Sequence, residues 1–184
     1  MNTPVTLVVP DSIKERVSIT PIDPQHAPAF LTGPYARLIP YAFRMKAHDV
    51  QQTITTVALR WSIIGQDSKE MQIRPRYYSP VSGMSVVKKN GSTTFWVGGG
   101  RMSDDVFESG HFPLMHAPSD KEFEALEKAQ FVSVSIDLIG FADGTFIGPD
   151  ELHTIALMQD ARHQAKFKRF AEKHNRNHPG VEGI

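Results

Sequence analysis

The residues best able to do chemistry begin with a histidine pair. His111-Phe-Pro-Leu-Met-His116 follows Asp104, Asp105 and Glu108 in one polar stretch. A transition-metal centre needs three or four nitrogen and oxygen donors converging on one point. His111, His116 and Asp105 are therefore the candidate ligands. A metal-dependent or hydrolytic enzyme built on the 104–116 loop is the enzymatic reading. The spacing argues against it, because a proline interrupts the pair and the two histidines are not at helical i, i+4 positions. An H-x-H pair with a nearby carboxylate, as metal-binding jelly rolls use, is missing. His153 and His163 stand about 80° apart around a helix and cannot chelate one ion together. The expectation is no metal and no cofactor.

Other reactive patterns resolve into construction. The sequence has no G-x-S-x-G elbow, although a Ser-His-Asp triad can assemble across a fold in any order. Gly98-Gly99-Gly100-Arg101 offers backbone amides to a phosphate, but a phosphate loop needs strand, glycine turn and helix in that order. Met-Ser-Asp-Asp follows instead, and its carboxylates repel an anion. A turn closing a hairpin strand is the better reading. Asp137, Asp143, Asp150 and Glu151 are close enough to suggest calcium, yet they miss the alternating register of an EF-hand loop. Here Asp-Gly makes a tight turn, Gly148 permits an unusual backbone angle, and Pro149 sets the entry to a helix. With no cysteine, disulfides, thiol nucleophiles and thiolate metal sites are excluded.

Charge is distributed unevenly. The whole chain is formally neutral. Residues 161–184 carry six cations against two carboxylates, so the remainder carries four net negative charges. Arg162, Lys166, Arg169 and Lys173 are the candidate partner-binding cations, suited to nucleic acid or an anionic surface. A solvated helix end with cations near its negative pole is the plainer account. Trp96 joins the binding candidates because Phe95 and Trp96 must face opposite sides of one strand. If that strand has a wet face, one of the two rings is exposed there.

The elements that would position these groups are mostly strands. Apolar residues alternate through Thr53–Ile63, through Tyr41, Phe43 and Met45, and through Val132, Val134, Ile136 and Leu138. A period of two places one face in a core and the other in water. Met84–Val97 reads as a hairpin about Asn90-Gly91, which suits a type I′ turn. Val5–Val9, Val17–Ile22 and Ile73–Tyr78 bring the count to about eight strands. The first 115 residues offer no helices to cross between parallel strands. The predicted fold is therefore mainly β, an antiparallel, immunoglobulin-like sandwich. Ser119-Asp-Lys-Glu122 has the form of a capping box and opens a short helix near 120–128. A second helix is predicted from about Asp150 to Lys173, with Asp150 as its cap. Residues 1–149 form the sandwich, and 150–184 form a helix and tail belonging to the same domain.

The stretch Val134 to Asp150 resembles the closing segment of bacterial β-sandwich proteins, where a strand enters F-x-D-G-T-x-x-G-P-D and then a helix. Pro40-Tyr-Ala-Phe43 and Val57-Ala-Leu-Arg-Trp61 are similar to early strands of the same group. The likeness covers about a third of the chain. It implies an immunoglobulin-like or fibronectin-like sandwich and nothing about catalysis.

No apolar run approaches the ~18 residues of a membrane span, so no transmembrane segment is expected. Met1–Pro10 lacks a basic start followed by an apolar core. The cytoplasm is expected for a complete chain, and export for one whose leader has been removed. The functional expectation is a non-enzymatic binding or interaction domain. Its partner would be a protein, including a second copy of the same chain. The remaining alternative is a structural subunit of a larger assembly.

Overall fold

The computed structural model describes residues 5–28, 31, 33–48, 53–78, 86–102 and 119–160. Ten strands occur among them, in two sheets. The first sheet contains β1 (Thr6–Val8), β4 (Ile54–Gly65), β5 (Glu70–Ile73), β6 (Arg76–Tyr78), β9 (Ala129–Phe141) and β10 (Phe146–Ile147). Its order is β1-β9-β4-β5, with β10 also pairing β9 and β6 also pairing β4. The second sheet runs β2 (Val17–Pro21), β3 (Ala42–Ala47), β7 (Ser92–Trp96), β8 (Gly99–Met102) in that order.

The predicted alternation explains the packing. Phe43 and Met45 on β3, Phe95 on β7 and Trp61 and Ile63 on β4 are fully buried in one apolar cluster shared by both sheets. Phe43 links them, with its ring 5.6 Å from Phe95 beside it and 5.9 Å from Trp61 on the opposite sheet. Aromatic pairs in tilted or offset contact add to the burial itself. The chain is mainly β, with two sheets and few helices.

Three expectations change. The pairing is not wholly antiparallel, because β1 runs parallel to β9, Thr6 opposite Ser133 and Val8 opposite Ser135. Leu138 does not continue the row of Val132, Val134 and Ile136. The β4–β9 register shifts between Ala58 and Leu59, leaving Asp137 as the extra residue, and Ile139 then joins the central cluster instead. A one-residue bulge exchanges the faces of everything beyond it. The hairpin about Asn90-Gly91 is also rearranged. Val87 bridges Ile54 of the other sheet, and the turn is closed by the Gly91 N–H donating to the Lys88 carbonyl at 2.9 Å. Only Asn90 of the pair has positive φ, at 56°, which is the signature of a type II rather than a type I′ turn.

The first predicted helix is α1 (Asp120–Glu127), and its reciprocal Ser119–Glu122 capping box is formed. A 3₁₀ segment, Gly33–Tyr41, docks beside it. The buried Tyr41 hydroxyl donates to the Leu126 carbonyl at 3.1 Å, and the Arg37 guanidinium lies 3.9 Å above the Phe123 ring. Burial first, and the Glu127 carboxylate second, push the Tyr41 hydroxyl above its ordinary pKa, so it remains a donor.

The second helix is shorter than predicted. Here α2 spans Thr154–Gln159. Asp150 and His153 both take positive φ, at 51° and 50°, so the helix cannot start at Asp150. Asp150 still caps it from a distance, with Oδ1 accepting from the Thr154 N–H at 2.6 Å. At Asp160 the backbone turns extended, ψ 126°, where the apolar stripe gives way to polar residues. A single helix from Asp150 to Lys173 is thus excluded.

Candidate functional site

The closing turn is built from its own polar groups. Asp143 Oδ1 accepts from the Thr145 amide at 2.9 Å and from its hydroxyl at 2.6 Å, while Gly144 takes φ 84°. The chain then returns as β10, with Phe146 opposite Gly140 on β9. Asp137, only 2% exposed, accepts from the amides of Glu151 and Leu152 at 3.0 and 3.1 Å. Its backbone carbonyl accepts from the Asp150 amide at 3.2 Å. A Cβ on Gly148, whose φ is +136°, would meet that same carbonyl oxygen at 2.3 Å. These carboxylates are consumed in positioning the turn; the sequence reading expected this of Asp143, while the anchoring by Asp137 is new. Among the described residues no three His, Asp or Glu side chains gather for a metal ion.

Trp96 needs correction as an exposed binding group. Both Phe95 and Trp96 are buried, at 0% and 2% exposure. Phe95 faces the shared core. Trp96 lies on the other face of its strand, folded over Gly99 so closely that a Cβ there would stand 2.2 Å from the indole Nε1. Gly98, φ 77°, closes the β7–β8 hairpin that sets this approach. The glycine run is thus a hairpin connection and not a phosphate cradle. Arg162, Lys166, Arg169 and Lys173 lie outside the described residues, as do His111, His116 and Asp105.

A different group of side chains emerges on the outer face of the second sheet. With Phe43 and Met45 inward, Arg44 and Lys46 project outward from β3, and both are exposed. The register sets Thr20, Arg44 and the buried Thr94 in one cross-strand row, and Ser18, Lys46 and Ser92 in the next. At the end of that second row Ser18 Oγ and His48 Nε2 are 2.5 Å apart and partly buried. The His48 amide donates to the Arg16 carbonyl at 2.8 Å, which holds the imidazole beside the edge strand.

Among the described residues, the charged side chains that β3 turns outward on this sheet are both cations. Strands β2, β3, β7 and β8 contain no Asp or Glu. Arg44 and Lys46 form no ion pair among the described residues. Of the carboxylates near β2, Asp11 and Asp23 are occupied, while Glu15, two residues before the strand, is exposed and forms no ion pair among the described residues. Lys14 holds Asp11 below its ordinary pKa through a 2.9 Å hydrogen bond, and the His26 ring does the same to Asp23 at 2.6 Å. The outer face of the first sheet is the internal contrast. There Arg60 pairs with Glu151, Arg74 donates to Gln72, and Ser62 binds Glu70 and lowers its pKa.

The sequence reading missed Ser18, Arg44, Lys46 and His48. Their common signal was present in the strands as outward polar positions rich in hydroxyls and free of acids. A serine bonded to an imidazole is the start of a nucleophile and base, but no described side chain bonds His48 Nδ1 to orient the ring. The arrangement can bind through donors and positive charge. No protein-family model, curated protein or solved structure matches the chain. Among the described residues no helix is long and apolar enough to cross a membrane.

Proposed function

We propose that this chain is a non-enzymatic interaction domain that holds an acidic, extended protein segment on the outer face of the β2-β3-β7-β8 sheet. The single observation that carries this reading is the pair of exposed cations on β3, which form no ion pair among the described residues, in a sheet whose strands lack carboxylates. Alternate residues of a strand repeat at about 7 Å on one face, so Arg44 and Lys46 match acidic side chains two positions apart in an extended peptide. Recognition of acidic motifs by basic clusters is a recurring binding mode. Single-stranded nucleic acid fits less well, because it is held on exposed aromatic platforms, and Trp96 on this face is covered. The sandwich itself is read as immunoglobulin-like. That reading is supported by the two sheets, the chain's repeated crossing between them and the segment resembling F-x-D-G-T-x-x-G-P-D proteins.

The test is direct binding of a fluorescent peptide with alternating glutamates. Wild type should bind with an affinity that falls as salt rises. Arg44→Glu/Lys46→Glu should weaken binding by about tenfold or more, roughly 1.4 kcal/mol. A Lys69→Glu/Lys121→Glu control, equal in charge but away from this face, should bind within about twofold of wild type if only the local field matters. Equal loss in both double variants would refute the assignment to this face.

A further inference from the structure

We infer that the Ser18–His48 pair, together with Lys46, is a phosphoryl-binding position within this face. The inference rests on the reading of the face as an acidic-peptide surface, and makes the partner a phosphorylated segment. Ser18 Oγ and His48 Nε2 share one hydrogen bond at 2.5 Å. Whichever group donates it, the pair keeps another N–H or O–H donor. If Ser18 donates, the neutral ring carries its proton on Nδ1. If Nε2 donates, the Ser18 hydroxyl proton is free to turn outward. Ser18 and Lys46 are directly opposed in register, and such same-face pairs have Cβ atoms about 5 Å apart. A neutral donor therefore stands beside an exposed ammonium, with Ser92 on the far side of Lys46 in the same row.

That combination suits a phosphate better than a carboxylate. A phosphoserine or phosphothreonine carries about −1.5 to −2 charges and three acceptor oxygens. It can engage the ammonium and the Ser18–His48 donor together. Arg44, one row along with Thr20 and Thr94, presents the planar fork that matches a carboxylate. An extended segment two residues long between these rows would place a glutamate on Arg44 and a phosphoresidue over Lys46. The ligand read from the surface is thus an acid-x-phosphoresidue motif.

The experiment compares two labelled peptides identical but for one residue, Glu-Ala-Glu and Glu-Ala-phosphoserine, on wild type, Ser18→Ala, His48→Gln and Arg44→Glu. Wild type should prefer the phosphopeptide by about tenfold. Both Ser18→Ala and His48→Gln should reduce that preference to about twofold while leaving the glutamate peptide's affinity nearly unchanged. Arg44→Glu should weaken both peptides. Equal affinity of wild type for the two peptides, or an undiminished preference in both single variants, overturns the inference but leaves the acidic-peptide reading standing. Failure of wild type to bind either peptide removes both. Unfolding curves of the two single variants that match wild type establish that the loss is local.

Discussion

At the scale of single residues, Asp137 and Gly148 hold the closing turn. Asp137 is buried and accepts two amide hydrogens from the chain fourteen and fifteen residues further on. Asp137→Ala leaves those amides without their acceptor and should cost about 2–4 kcal/mol in urea unfolding. Gly148→Ala should cost about 2 kcal/mol or more, because its backbone angle disfavours any Cβ and the Asp137 carbonyl occupies the space. A Gly148→Ala protein as stable as wild type would contradict this account of the turn. Tyr41 gives the pH prediction. Its folded pKa is raised, so its contribution is fully present below about pH 10 and is lost as pH climbs through the folded value. Tyr41→Phe should cost about 1 kcal/mol at neutral pH. Its urea midpoint should also fall less steeply than wild type's in alkali.

The turn's economy was legible in the sequence, since Asp-Gly and Gly-Pro-Asp announce their geometry locally. Asp137 was not legible as its anchor, because its partners belong to a later segment and are amides that any residue supplies. Trp96 was misread for a related reason. Alternation tells which way a ring points, and it does not tell what covers it. Here Gly99, three residues on, lets the indole fold onto its own hairpin.

Elements were read well where local chemistry decides them and poorly where partners do. The α1 capping box is local, and Ser119→Ala should cost about 1 kcal/mol by the loss of its side-chain acceptor. The measurement is again urea unfolding, with Ser119→Asp expected to restore most of the loss. The long helix predicted from Asp150 failed because apolar spacing alone overlooked two left-handed residues. Asp150 was rightly chosen as a cap, yet the helix it caps begins four residues later. The β4–β9 bulge explains the exchange of Leu138 and Ile139, since a period-two pattern cannot display one extra residue. The Asn90 turn is a tertiary override. Val86 and Val87 hydrogen-bond to Ile54 of the first sheet, so the strand expected to pair with β7 is drawn away.

For the whole molecule, strand alternation indicated apolar-faced sheets and supplied most of the core. Sheet membership and register remained hidden, and these create the candidate site. Ser18 and His48 are thirty residues apart and meet only because β2 pairs with β3. The outward cations of β3 become informative only beside neighbouring strands without acids, in contrast to the paired arginines of the other sheet. The sequence reading looked for binding in the basic tail, which lies beyond the described residues. The most direct test of the surface is a titration with the alternating-glutamate peptide followed by backbone amide NMR. Binding at the proposed face predicts shifts concentrated at Ser18, Thr20, Arg44, Lys46, His48 and Ser92. Saturable shifts confined to Arg60, Ser62, Gln72 and Ser133 on the opposite sheet would contradict it.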